Sequence, residues 1–167
     1  PVNQSASSTG KPANRQTGKL ISQDSKATYD LVRRVRKVTQ KTLITKLSPN
    51  VTDITEIALA AESAGSDAIS LINTLSAMTI DTETRRPKIA SISAGLSGPA
   101  IRPEAVKMVW EAYQKIKLPI IGMGGIIDAS SALEFFIAGA TAVSIGTANF
   151  INPKVSLEII SGLKKYL

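Results

Sequence analysis

The stretch "PIIGMGG", residues 119–125, decides the fold. Its apolar half suits a buried strand, yet it ends in two residues with no side chain. A strand that needed only to stop would do so at Asn or Asp. Gly124 and Gly125 instead leave bare backbone N–H groups. Two readings follow: a tight strand-to-helix turn that requires positive φ, or main chain kept clear so that a ligand can reach the amides. "AVSIGT" (142–147) repeats the arrangement one strand later, ending at Gly146 and Thr147.

Outward from this stretch the pattern alternates. From Asp24 a helix is predicted, striped by Ala27, Leu31, Val35 and Val38. "TLITKLSP" (42–49) reads as a short strand stopped by Pro49. A helix over 53–64 follows, with Ile54, Ile57, Ala58 and Ala61 on one face, Asp53 and Glu56 as a capping pair, and Gly65 as its stop. "DAISLIN" (67–73) is a second strand, and residues 75–100 form an insertion that is not a simple helix. Pro103 opens a helix striped by Val106, Val109, Tyr113 and Ile116. After "PIIGMGG", Asp128 caps a helix through Ile137 that uses Leu133, Phe136 and Ile137 and ends at Gly139. Pro153 opens a terminal helix bearing Ile159, Ile160 and Leu163. Residues 1–23 are polar and aperiodic and read as an irregular segment.

Strands apolar on both faces, joined by amphipathic helices, imply a parallel α/β sheet covered by helices. Two architectures fit: an open doubly wound sheet, or part of a (β/α)8 barrel. A whole barrel takes about 250 residues. These 167 residues carry four strands, or five with a damaged one near the start.

Composition narrows the chemistry. Cysteine and histidine are absent, which excludes thiol nucleophiles, disulfides, zinc-finger spacing and a Ser-His-Asp triad. No apolar run reaches membrane-spanning length, and the sequence shows no signal-peptide pattern. Starting at Pro1 it reads as a fragment or a processed chain, and the lack of Cys fits a cytoplasmic protein. The net charge of +7 is lopsided. Residues 1–50 hold ten Lys/Arg against Asp24 and Asp30, and residues 51–167 hold ten against eleven. The densest run, "RRVRK" (33–37), reads as a solvated helix face rather than a nucleic-acid site, since Tyr29 is the sole aromatic nearby.

In parallel α/β folds ligands gather at the carboxyl ends of strands. Here those ends are "TKLSPN", "INT", "GMGG" and "IGTAN". The two glycine-based ends are consecutive, the arrangement in which barrels bind phosphate through backbone amides. Lys46 adds a cation, or else a snorkelling surface residue. Asn73 and Thr74 add an amide fork and a hydroxyl suited to a planar carboxylate or amide ligand, or else a turn cap.

Five ordered motifs carry a resemblance: "TKLSPNVTDI" (45–54), "LINTLSAMTIDTETRRP" (71–87), "AGLSGPAIRPEA" (94–105), "PIIGMGGI" (119–126) and "AGATAVSIGTANF" (138–150). Together they resemble the C-terminal half of class 1 dihydroorotate dehydrogenase, with the NAD-linked type B members most similar. The resemblance implies that residues 24–167 are about half of an FMN-binding (β/α)8 barrel. It implies an enzyme of pyrimidine synthesis that oxidises dihydroorotate to orotate.

On this resemblance Gly124, Gly125, Gly146 and Thr147 bind the FMN phosphate through backbone amides, and Gly98 lies by the ribityl chain. Ile72 contacts the cofactor, Lys46 sits at the N1/O2 edge of the flavin, and Asn73 and Thr74 bind orotate. The 75–95 insertion lies over the barrel mouth. The implied partners are a second copy of the chain or a subunit carrying FAD and an iron–sulfur cluster. The family's catalytic loop, of the form N-x-S-C-P-N-x-K, falls on "STGKPANR" (8–15). There Pro12 matches, Ser8 replaces an Asn, and Lys11 replaces the Cys base. A lysine protonated at neutral pH cannot accept a proton. Ala94 replaces a Gly, a minor departure. The expectation is a surviving flavin half-site with weak or absent catalysis, the alternative being a non-catalytic half-barrel that binds FMN or phosphate, or a partner.

Overall fold

The computed structural model describes residues 20–166. Eight strands and six α-helices alternate: α1 Ser25–Val38, β1 Ile44–Lys46, α2 Ile54–Ser63 and β2 Ala68–Leu71 come first. The insertion holds β3 Leu75–Ala77, β4 Ile80–Asp81, β5 Arg86–Pro87 and β6 Ala94–Leu96. Then follow α3 Arg102–Tyr113, β7 Ile120–Met123, α4 Ala129–Ile137, β8 Ala142–Ser144, α5 Ala148–Ile151 and α6 Val155–Tyr166. Lys11 and the rest of the proposed catalytic loop lie outside the described residues.

The principal sheet is wholly parallel and ordered β1-β2-β7-β8. A doubly wound sheet reverses its strand order at a switch point. Here each crossover advances one strand in the same direction, the winding of a barrel wall. The helices follow suit, α1 packing on α2, α2 on α3, α3 on α4 and α4 on α6.

Register assigns the two faces. Ile69 pairs with Ile120 and Leu71 with Gly122, on the helix side, where Phe135 of α4 fills the space above Gly122. A Cβ on Gly122 would lie 2.5 Å from that ring, so glycine there lets helix and sheet close. Ile44, Lys46, Ser70 and Ser144 take the concave side. The core lies between sheet and helices, with Phe135, Ile69, Leu71, Ile54 and Val109 fully buried. The expectation of strands apolar on both faces holds for β2, buried throughout, but not for β1 and β8, whose concave side is open.

Helix ends follow local chemistry. Asp24, Asp53 and Asp128 each accept a first-turn N–H. The Asp53 acceptor takes Thr55 N–H and Oγ1–H, so the structure shows a short Asp–Thr cap where a box with Glu56 was expected. Gly65 and Gly139 stop α2 and α4 at φ of +100° and +110°. Four helical stripes are displaced from expectation. In α1 the buried residues are Thr28 and Val32, with Leu31 and Val38 exposed, and in α6 they are Val155 and Ile159, with Ile160 exposed. The buried face of α3 is Ala105, Met108, Val109 and Ala112, and Tyr113 is exposed, its ring lying over Gly139. In α4 the buried residues are Ser131, Ala132 and Phe135, and Ile137 is 77% exposed. In "RRVRK", Arg36 is structural: it donates to Gly65 O and Lys41 O and pairs with Asp67, tying α1 to the start of β2. Arg33, Arg34 and Lys37 are exposed. Among the described residues no helix is long and apolar enough to cross a membrane.

Candidate functional site

Parallel strands that finish together deliver their following loops to one rim. At that rim a cup of about 230 Å3 is lined by Lys46, Ile72, Asn73, Thr74, Gly98, Gly124, Gly125, Gly146 and Thr147, with Ser97, Met123, Ser144 and apolar side chains between them. The structure therefore gathers every site residue read from the sequence that lies among the described residues.

The glycines divide into two kinds, which answers the question raised by "GMGG". A Cβ on Gly124 would lie 2.8 Å from Ala105 Cβ, and one on Gly125 would lie 2.7 Å from Gly98 O and 2.8 Å from Arg102 Cβ. Both take positive φ, +136° and +73°. Their missing side chains are thus required by the packing of α3 against the β7 turn. Gly98 and Gly146 differ: a Cβ on either would meet nothing within 4 Å. At Gly146, which lines the cup, neither φ nor a neighbour demands glycine.

Main-chain polarity completes the pattern. Among the described residues, the N–H groups of Gly124, Gly125, Gly146 and Thr147 donate no hydrogen bond. Backbone donors at a partly enclosed turn need partners, and a cluster of them forms a concavity for an anion. The lining holds one cation, Lys46, and no carboxylate. The turn is braced from below by Asn149, whose Nδ2 donates to Ile145 O at 2.6 Å and Gly146 O at 3.3 Å while its Oδ1 accepts from Ser156 Oγ. Thr147 Oγ1 donates to Ser97 Oγ at 2.8 Å, joining the β8 turn to the loop before α3. Sequence reasoning assigns Asn149 no role, placing it only within the strand end "IGTAN". Its signal is a polar side chain one turn after a strand-end glycine.

The other side of the cup is polar and differently built. Ile72 N–H donates to Met123 O and Asn73 N–H to Leu47 O, so the end of β2 is fixed to both neighbours. Asn73 Oδ1 accepts from Thr74 N–H at 2.9 Å. Thr74 lies against Gly95 of β6, where a Cβ would come within 2.2 Å of the Thr74 hydroxyl oxygen.

The cup's volume of about 230 Å3 lies below the range of about 300 to 1,000 Å3 usual for pockets that enclose a whole small molecule.

Comparison with known proteins places this geometry in context. The sequence profile of the family described as "Dihydroorotate dehydrogenase" matches residues 10–167. Proteins named "Dihydroorotate dehydrogenase B (NAD(+)), catalytic subunit" are similar over most of the chain. That of Caldicellulosiruptor bescii is 56% identical over 156 residues, 93% of this chain and 52% of its own length. That of Trichlorobacter lovleyi is 53% identical, covering 93% and 51%. That of Desulforudis audaxviator is 58% identical over 140 residues, covering 84% and 46%. The chain spans about half the length of these relatives.

Proposed function

The chain belongs to the dihydroorotate dehydrogenase family, and on that premise we propose that it is the FMN- and orotate-holding half of a barrel that oxidises dihydroorotate to orotate. The single observation that supports this reading is the row of four amides at adjacent strand ends beside Lys46 that have no partner among the described residues. Phosphate is the anion whose several acceptor oxygens best satisfy such a row.

The residues present fit FMN. Gly124, Gly125, Gly146 and Thr147 hold its phosphate through N–H groups, Gly98 gives clearance for the ribityl chain, and Ile72 packs against it. When bound, FMN supplies the hydride acceptor of the reaction. The Lys46 ammonium on the concave face stabilises negative charge at the neighbouring ring edge. Asn73 and Thr74 orient the substrate's carboxylate and ring amides by hydrogen bonding. Removal of the substrate's proton needs a base, and the cup's described lining has no Asp, Glu, Cys or His.

That last observation favours a second reading beside the first: a half-barrel that binds FMN or phosphate without catalysing by itself. Either way the partners are orotate-like ligands and a further protein, a second copy or an electron-transfer subunit with FAD and an iron–sulfur cluster, in the cytoplasm. The divergent segment is 1–23 and the barrel half 24–167. Mixing the purified chain with FMN and dihydroorotate tests the reading. Flavin binding with slow or no bleaching of its absorbance is expected. Rapid bleaching refutes the weak-catalysis claim, and failure to bind FMN refutes the flavin site.

A further inference from the structure

Asn50, in the loop after β1, makes more directed contacts than any turn requires. Its Nδ2 donates to Thr74 O at 3.0 Å and Ser48 Oγ at 3.2 Å, and its Oδ1 accepts from Ser76 N–H at 2.8 Å. Its own carbonyl accepts from Gln23 Nε2 at 2.9 Å. Its N–H donates to Ser48 Oγ at 3.3 Å.

The two long-range side-chain bonds have a definite meaning. The carbonyl of residue 74 and the N–H of residue 76 are the pair that a neighbouring strand would use beside β3. A carboxamide carries a donor and an acceptor at the spacing of a peptide group. Asn50 therefore acts as a one-residue strand partner, fixing the main chain where β2 gives way to the insertion. Thr74 is then held from two directions, by Asn50 on its carbonyl and by the close approach of its side chain to Gly95. Asn73 is tied to Thr74 N–H in turn. Nothing else among the described side chains bonds the main chain of residues 74–76 except Asn73.

We infer that Asn50 is a positioning residue that aims the Asn73–Thr74 pair into the cup and anchors the 75–96 insertion, without touching ligand itself. The role in ligand recognition rests on the orotate reading above, whereas the anchoring does not. The side chain must be Asn. Asp would set a carboxylate oxygen against Thr74 O, Gln would overreach by a methylene, and Ala would leave Thr74 O and Ser76 N–H unpaired.

The test compares the wild-type chain with Asn50→Asp, Asn50→Ala and a control, Ser76→Ala, which keeps the main-chain N–H. Amide hydrogen exchange reads the anchor. Exchange at Ser76 is expected to rise at least tenfold in Asn50→Ala, and tryptic cleavage after Arg85 to accelerate. Ligand titrations read the aim: FMN affinity stays within twofold, while orotate affinity of the FMN-loaded chain falls at least tenfold at pH 7.5. In Asn50→Asp the orotate deficit narrows as pH falls through about 4, the ordinary Asp value, because a protonated carboxyl again presents an O–H to Thr74 O and a C=O to Ser76 N–H. Unchanged exchange at Ser76 in Asn50→Ala overturns the anchor. Faster exchange with unchanged orotate affinity, or an Asn50→Asp deficit flat with pH, overturns the positioning role. A wild-type chain that binds neither FMN nor orotate overturns the functional reading and the ligand-aiming role with it, and the exchange data still decide the anchor. Should Asn50→Asp fail to fold, Asn50→Ala carries both measurements.

Discussion

Two glycines on the same rim respond oppositely to one added methyl group. In Gly125→Ala the new Cβ lies 2.7 Å from the Gly98 carbonyl oxygen and 2.8 Å from Arg102 Cβ, on a backbone at φ +73°. Left-handed backbone costs an L-residue about 1–2 kcal/mol, and overpacking costs about 1–3 kcal/mol more. A total of about 2–5 kcal/mol lowers the melting temperature by roughly 4–20 °C for a chain of this size. In Gly146→Ala the methyl meets nothing within 4 Å. Stability is unchanged or rises by about 0.4–1 kcal/mol through the lower entropy of the unfolded chain. The methyl is added at a residue that lines the cup. Displacing one charge-assisted amide–phosphate bond costs about 1.5–3 kcal/mol, a loss of about 10- to 150-fold in FMN affinity. Riboflavin, lacking the phosphate, binds both proteins alike. Thermal melts and flavin fluorescence titrations of the two variants suffice. A Gly146→Ala chain that binds FMN as the wild type does, or melts as early as Gly125→Ala, refutes the division of the glycines into packing and ligand positions.

Three further outcomes are expected. Phe135→Ala empties the site above Gly122 and costs about 3–5 kcal/mol in urea unfolding, while Phe150→Ala, at a residue 92% exposed, stays within about 0.5 kcal/mol. Asp128 is held below its usual pKa of 3.8, first by the Ser131 N–H and then by the Ser131 hydroxyl. A folded pKa below the unfolded one adds stability that is complete above the unfolded value and lost as pH falls through the folded one. Asp128→Ala therefore costs about 1 kcal/mol at neutral pH, and its stability curve converges with the wild type's in acid below 3.8. Lys46→Gln, removing the cup's one cation, weakens FMN and inorganic phosphate binding by about tenfold and flattens their salt dependence, as titrations at two ionic strengths show.

The barrel wall was legible because its signals are local. Pro49, Gly65, Gly139 and the Asp caps punctuate the chain, and strand ends in a parallel sheet necessarily share a rim. The choice between winding directions was not legible from periodicity, because strand order is a non-local property that only the ladders reveal. Helices α3 and α4 were misphased for a related reason. Small residues, Ala105 and Ala112 in α3 and Ser131 and Ala132 in α4, share the buried faces with Met108, Val109 and Phe135, while Tyr113 and Ile137 place large apolar side chains on the outside. Helix α5 was missed because four residues hold too little of any period. At the site, packing and positive φ explain why Gly124 and Gly125 lack side chains, whatever their amides bind. Gly146, in open space, is the stronger pointer. Asn50 reads in sequence as a turn former after Pro49; its role depends on a partner 24 residues away.

The most direct test of the amide cup is a proton–nitrogen NMR titration of the chain with FMN, with riboflavin as the comparison. The account predicts that the amide resonances of Gly124, Gly125, Gly146 and Thr147 move to lower field with FMN and stay in place with riboflavin. Equal shifts with both ligands, or phosphate-dependent shifts confined to other residues, contradict it.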